Sequence, residues 1–316
     1  MTMEDILVLG TVGRERVHSF GTTSPVVFGG TAFYAAEAIL RAGAARPLLV
    51  SALGHDLTPA ELADQFSGPV NTRGLRRNAD LPSFYWEARY DQTFEESTTV
   101  ALENRLIDGF APDWFALGDS FPGIRFCYLA AFDPKVQLAC ATHFAECFVM
   151  SETLEYWIGR NRQGVLDLAG VSNGFVVTER EFRALWEFDA PPYTPYRRVA
   201  GILERCGLDL LIVTFADRGS QVFDTEGTFL VPALSCETVD STGAGNAFSG
   251  GIVAHLAQSG KYQRGRLLDA VALGTVLASL QVRDFSNRAL WRASSSAIGA
   301  LRQEVRSSIC WFDPGV

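Results

Sequence analysis

The chain reads as an α/β protein built on a mostly parallel sheet, and three observations in its sequence say so. Short apolar runs alternate with segments of helical spacing, the pattern that crossover helices between parallel strands produce. One stretch, residues 75–103, breaks the alternation with period-two patterning and no intervening helix. A loop of small residues, 240–251, follows a strand-and-turn stretch at 227–239 and opens a helix.

Taken in order, residues 6–10 form the first strand, 31–42 a helix, 48–53 a strand and 61–67 a short helix. Within 75–103, Phe84, Trp86, Ala88 and Tyr90 alternate with polar residues, and Thr98, Thr99 and Val100 follow. This predicts a small antiparallel sheet projecting from the body, as a lid, as a surface a second subunit could cover in a homodimer, or as a hairpin capping a core edge. Beyond it come a strand at 126–132, a helix at 136–147, strands at 147–151 and 175–178, and a helix at 179–188. Residues 190–195, with three prolines, are a stiff loop. A helix at 197–206 precedes a strongly apolar strand at 210–215. Phe248, Ile252, Val253 and Leu256 share one face of a helix over 247–257; 267–282 is a long apolar helix, and 288–305 the last. No repeat or low-complexity tract divides the chain, so 1–316 is read as a single domain with the lid inserted at about 75–103.

The totals narrow the function classes. Of 316 residues, 47% are hydrophobic and 20% charged, enough for a sizeable core and unlike a disordered chain. A net charge of −9 argues against a nucleic-acid partner. The start, Met1 to Asp5, runs straight into a strand with no basic region or long apolar run, so no membrane partner is expected and a cytoplasmic location is the default. Of six cysteines, Cys140 and Cys147 lie near His143 in sequence, but buried reduced thiols explain them better than a metal site.

The loop carries the chemistry. Gly243, Ala244 and Gly245 have almost no side chains, so a ligand can approach their backbone, and the first N–H groups of the following helix are unpaired and partly positive. Such a loop is an anion hole suited to charge that develops on a phosphate.

The string Asp240-Ser241-Thr242-Gly243-Ala244-Gly245-Asn246 resembles the Asp-Thr-Thr-Gly-Ala-Gly-Asp signature of the PfkB carbohydrate kinase (ribokinase-like) family. Other blocks resemble the family in the same order: Gly29-Gly30-Thr31-Ala32-Phe33-Tyr34 with Arg41-Ala42-Gly43-Ala44, Gly54-His55-Asp56, Thr178-Glu179-Arg180-Glu181, the strand and loop from Val213 to Ser220, and Ala272 to Ser279. The last block, with the loop, is reminiscent of a Mak32-like branch. The resemblance implies a ribokinase-like three-layer sandwich with a mostly parallel central sheet and a small antiparallel lid. It implies a small-molecule substrate, with ATP and Mg2+ as cofactors. ATP would be bordered by Thr214, Asp217, Arg218, Gly219 and Thr242, with Glu181 contacting the metal through water. The substrate would meet Glu15, Gly29, Gly30, Tyr34 and Trp86.

The departures fall at the chemistry. Asn246 stands where the family has its catalytic Asp, and an amide takes no proton at neutral pH; losing a general base typically costs about 10²- to 10⁴-fold. Asp240 is either a substitute base, or a helix cap or brace of the phosphate loop. Glu15 matches a sugar-binding Asp and is either a longer arm in that role or a solvated loop charge. Tyr34 replaces a sugar-binding Asn, which with Phe84 and Trp86 makes the site more aromatic than a sugar pocket; Phe33 is expected in the core. His255 is expected to be structural. Three functions remain open at this point: a phosphotransferase acting on a small-molecule hydroxyl, a binding pseudokinase, and a non-phosphoryl enzyme for an aromatic or apolar metabolite.

Overall fold

A computed structural model describes residues 5–19, 21–43, 45–94 and 96–312. Ala44 of the N-terminal motif and position 95 of the expected lid lie outside them. The strands Asp5–Leu9, Arg46–Leu53, Leu75–Arg77, Phe126–Leu129, Phe148–Glu152, Gly174–Thr178 and Leu210–Thr214 pair in parallel. Ser220–Asp224, Gly227–Val231 and Cys310–Phe312 extend this sheet antiparallel beyond Leu210–Thr214, giving ten strands.

Alternate residues of each strand enter opposite cores, as a doubly covered sheet requires. Ile6, Val8, Phe126, Tyr128, Met150 and Ile212 pack with the helices Thr31–Ala42, Ala244–Ala257 and Leu267–Gln281. Leu7, Leu9, Cys127, Val149, Phe175 and Val213 pack on the other face with Pro134–His143, Glu155–Ala169, Glu179–Trp186 and Tyr196–Cys206. The result is the three-layer α/β sandwich expected.

A second, smaller sheet of five strands stands beside it. Phe84–Tyr90 and Ser97–Glu103 form its antiparallel hairpin, with Gly13–Ser19, Thr22–Thr23 and Val27–Gly29 added. Gly13–Ser19 pairs in parallel with Phe84–Tyr90, the single parallel pairing of this sheet. Leu75–Arg77, expected within it, instead edges the large sheet against residues 51–53.

The helix expected over 136–147 is Pro134–His143, and the strand expected over 126–132 is Phe126–Leu129; three other boundaries differ for local reasons. The short helix is Pro59–Ala63, set by a Thr58/Glu61 capping box rather than by its apolar spacing. The last helix is two, Arg288–Arg292 and Ser295–Ser308, because Ser294 caps a new start by accepting from the Ala297 N–H. The loop helix begins at Ala244, a turn earlier than its apolar face, since Gly243 at φ 78° is its N-cap.

Candidate active site

The residues singled out in the sequence collect at the carboxyl ends of the parallel strands, where ligands bind in open α/β sheets. Glu152, Thr178 and Thr214 each end such a strand, and Thr178 is in register with Thr214. The small sheet leans over the same edge. Ser241 donates to the Phe94 carbonyl at 2.9 Å, and Thr242 donates to the Tyr90 hydroxyl at 3.1 Å.

Two clusters meet at the loop. The first is at the expected substrate end. Glu15 points inward from its strand and is 1% exposed, so it is not a solvated loop charge. It accepts a hydrogen bond from the Tyr34 hydroxyl. A Cβ at Gly29 would overlap the Glu15 carboxyl, and one at Gly30, φ 110°, would overlap the Thr11 carbonyl; this is what the diglycine is for. Burial pushes the Glu15 carboxyl up to about 8 against its hydrogen bond from Tyr34, and the Asp240 charge adds to the rise. Asp240, also buried, is pushed up to about 6 by burial, opposed by hydrogen bonds from Thr242. Burial thus keeps the proton on Glu15, and the Asp240 charge adds to that. Asp240 Oδ1 accepts from the Thr242 N–H at 2.9 Å, so Asp240 braces the loop; it is not the helix cap.

Tyr34 is 1% exposed, and its ring lies where a Cβ on Gly243 would be. The approach to the loop at Gly243 is therefore filled by this side chain, whereas a Cβ at Gly245 would meet nothing within 4 Å. Ala244 uses its N–H in a turn to the Ser241 carbonyl at 3.2 Å. Trp86 joins the cluster only through Tyr90, edge to face at 6.5 Å, while its indole N–H donates to Thr99. Phe33 is core, in contact with Phe66 and Phe28. The main chain of the loop is pinned from behind, where the N–H groups of Val239 and Asp240 donate to the Val282 carbonyl and Gln281 donates to that of Thr242.

The second cluster surrounds Asn246 and was not legible in advance. Its centre is Glu152, 7% exposed, which accepts from the Tyr128 hydroxyl at 2.6 Å, from Asn246 Nδ2 at 3.0 Å and from the Ser249 hydroxyl. Asn246 Nδ2 also lies 3.2 Å from the Tyr128 oxygen, so its N–H side faces the Tyr128–Glu152 pair. The amide is thereby oriented, with Oδ1 turned away from the carboxylate. Burial raises the Glu152 carboxyl, opposed by the hydrogen bonds from Ser249, Tyr128 and Asn246. A glutamate closing an apolar strand was the signal available, but nothing in the spacing links it to the loop.

Glu181 closes a capping box with Thr178, whose N–H it accepts at 2.8 Å. Burial pushes its carboxyl up to about 7, against hydrogen bonds from Thr178 and with help from the Glu152 charge. Arg218 pairs with Glu179 at 2.8 Å, Asp217 is exposed beside it, and Gly219 turns the chain at φ 94°. His255, about three turns along the loop helix, is held down at about 4 by burial and by Arg266. Ahead of the loop, Ser235, Cys236, Glu237, Val239 and Arg283 line an open cleft of about 360 Å³. Among the described residues, no group of three or more His, Cys, Asp or Glu could hold a metal ion, and no helix is long and apolar enough to cross a membrane.

Known proteins share this fold. The chain is 29% identical over 140 residues to a deoxyribokinase of Salmonella typhi, covering 43% of this chain and 45% of that one. It is 42% identical over 52 residues to a fructokinase-2 of Zea mays, 16% of each chain. These matches span less than half the length of the curated relatives. Solved structures align over far more. An aminoimidazole riboside kinase from Salmonella enterica, complexed with aminoimidazole riboside and an ATP analogue, superposes with a TM-score of 0.74 at 18% identity, covering 95% of this chain and 100% of that one. A fructokinase from Xylella fastidiosa with bound ATP gives 0.74 at 17% identity, over 95% and 98%. These likenesses establish the ribokinase-like fold. The family model for pfkB family carbohydrate kinases matches residues 24–292. The chain belongs to the pfkB family of carbohydrate kinases.

Proposed function

We propose that the protein transfers the γ-phosphoryl group of ATP, with magnesium, to a hydroxyl of a small molecule, and that it does so slowly. The observation that carries this reading is the loop itself: an open backbone at Gly245 at the start of a helix, with Asn246 one residue on and its amide held through Nδ2. The phosphates belong along Gly243–Gly245 and the turn Asp217–Gly219, and the 360 Å³ cleft beside them has room for the nucleotide base. Magnesium keeps several waters and takes one or two carboxylates plus phosphate oxygens, so Glu181 suits it without a protein cage. When bound, the ion offsets the charge of the phosphates during transfer.

The chain's own residues then act as follows. The acceptor hydroxyl donates to Asn246 Oδ1, which holds its oxygen in line. That oxygen bonds to the γ-phosphorus as the bond to the bridging oxygen breaks, and ADP leaves with that electron pair. The hydroxyl proton passes to an oxygen of the transferred group, since the amide does not take it. Orientation and the anion hole survive the loss of a base; the general-base factor of about 10²- to 10⁴-fold does not.

The filled substrate end favours a second reading, a pseudokinase that binds nucleotide or an enzyme of other chemistry. Tyr34 and Glu15 satisfy each other where the family binds sugar, so simple pentoses and hexoses are expected to bind poorly, and the ligand to carry an aromatic or apolar part. The small sheet is proposed to close over that ligand, and its edge strand, with Val100 and Leu102 about half exposed, to pair two subunits of a cytoplasmic protein. Calorimetry with a non-hydrolysable ATP analogue and magnesium is the test. Binding with turnover supports the kinase and binding without turnover the pseudokinase; no heat at millimolar nucleotide sinks both.

A further inference from the structure

The second cluster holds an arrangement that the missing Asp does not explain. Glu152 sits on a different element from the loop, yet it accepts from Tyr128, Ser249 and Asn246, a donor set made for an ionised carboxylate. The same hydrogen bonds fix the amide of Asn246. We infer that Glu152 is the carboxylate of the phosphoryl-transfer site and acts through Asn246, holding its Oδ1 toward the acceptor hydroxyl. The negative charge has been moved one side chain back, and the pair Asn246–Glu152 stands in for the single Asp of the loop. Glu152 is a positioning residue; the group that meets substrate is Asn246.

This inference rests on the kinase reading for its catalytic half but has a physical consequence that does not. With Asn246→Asp alone, two carboxylates would face each other at the present 3.0 Å contact. They could not both ionise, and would share one proton. Restoring the family residue by itself therefore should not restore a base at neutral pH. Moving the charge should: Asn246→Asp with Glu152→Gln keeps one carboxylate and one amide, with donor and acceptor exchanged.

The experiment compares wild type, Glu152→Gln, Asn246→Asp and the double variant, in ATP turnover from pH 5.5 to 9 and in urea unfolding over the same range. Glu152→Gln lets the Asn246 amide turn over, and is expected to lower kcat by roughly 10²-fold with nucleotide Kd unchanged. Asn246→Asp should lose stability as pH rises through neutrality, relative to wild type, because its shared proton must leave. The double variant should lose that pH dependence and turn over at least ten times faster than Asn246→Asp. Two results would overturn the inference: single effects that multiply to give the double in turnover, or an Asn246→Asp stability profile that parallels the double variant's. If nucleotide binds and no variant turns it over, the kinase reading fails, and the unfolding profiles alone still decide whether the pair shares one charge.

Discussion

Glu15→Gln removes the ionisable group of a buried side chain while keeping its shape. The folded carboxyl titrates at about 8, mainly because burial disfavours its ion. In the unfolded chain it titrates near about 4.3. Between those values the unfolded chain has given up a proton that the folded chain keeps, so the unfolded state binds fewer protons and stability falls as pH rises. The contribution is fully present below the unfolded value and is lost on reaching the folded one. The slope approaches about 1.4 kcal/mol per pH unit, and the sum is on the order of 5 kcal/mol. Glutamine fits over Gly29 and can still accept from the Tyr34 hydroxyl, but does not ionise. Urea unfolding at pH 5, 6, 7 and 8, followed by tryptophan fluorescence, should find the two proteins within about 1 kcal/mol at pH 5 and the variant ahead by about 3–5 kcal/mol at pH 7.5. Asp240, Glu181, Glu152 and Glu37 are raised in the same direction in both proteins, so the difference isolates Glu15. Profiles that run parallel, or a variant less stable at pH 8, would refute the buried neutral acid and with it the account of the substrate end.

Three further outcomes follow from the same geometry. Tyr34→Ala deletes a fully buried ring and the partner of Glu15, and should cost about 3–5 kcal/mol, read as a melting midpoint lower by about 5–10 °C, while opening the substrate end. Ribose or fructose that binds at micromolar concentration with no response to this change would contradict the filled pocket. Gly243→Ala forces a Cβ into the Tyr34 ring at a φ of 78°, and should cost about 2–4 kcal/mol and weaken nucleotide binding in calorimetry. Thr178→Ala removes the cap of its helix for about 1 kcal/mol and one of the hydrogen bonds that oppose burial of Glu181, so the acidic limb of any magnesium-dependent turnover should move to higher pH.

The sheet and its covering helices were legible because apolar runs and helical faces carry their own period. The elements that escaped are those whose inward face is not apolar. Gly13–Ser19 turns Gly13, Glu15, Val17 and Ser19 inward, and only Val17 reads as core. Its strand therefore looks like a charged loop, although its buried acid is the centre of the first cluster. Glu155–Ala169 is interrupted at Asn161, which leaves helical geometry at φ −155°, and this blurs its spacing. Ser220–Asp224 is buried throughout but carries Gln221 and Asp224, whose partners lie on other elements. The loop, the diglycine and Glu181 were legible since each is a short local motif. Glu152 and Tyr128 were not, because their meeting with Asn246 is set by the order of strands in the sheet, which the linear sequence does not display.

Residues 240–246 join the two clusters, and this limits what can occupy the site. Tyr34 rests on Gly243, Tyr90 accepts from Thr242, and Phe94 accepts from Ser241, so a ligand entering the substrate end must move the ring, lift the small sheet, or both. Displacing Tyr34 leaves Glu15 without its hydrogen bond, and a buried acid left unpaired costs about 1–3 kcal/mol or more. Asp240 Oδ2 is already buried with no hydrogen-bond partner among the described residues. A ligand that binds well must therefore return a donor to Glu15 and bring one to Asp240, which two neighbouring hydroxyls can do. It must also fill the space the phenol ring gives up, which a bare sugar cannot. A polyol joined to a flat apolar body meets both demands, and its arrival at Gly243 lies three residues from the amide that Glu152 holds ready.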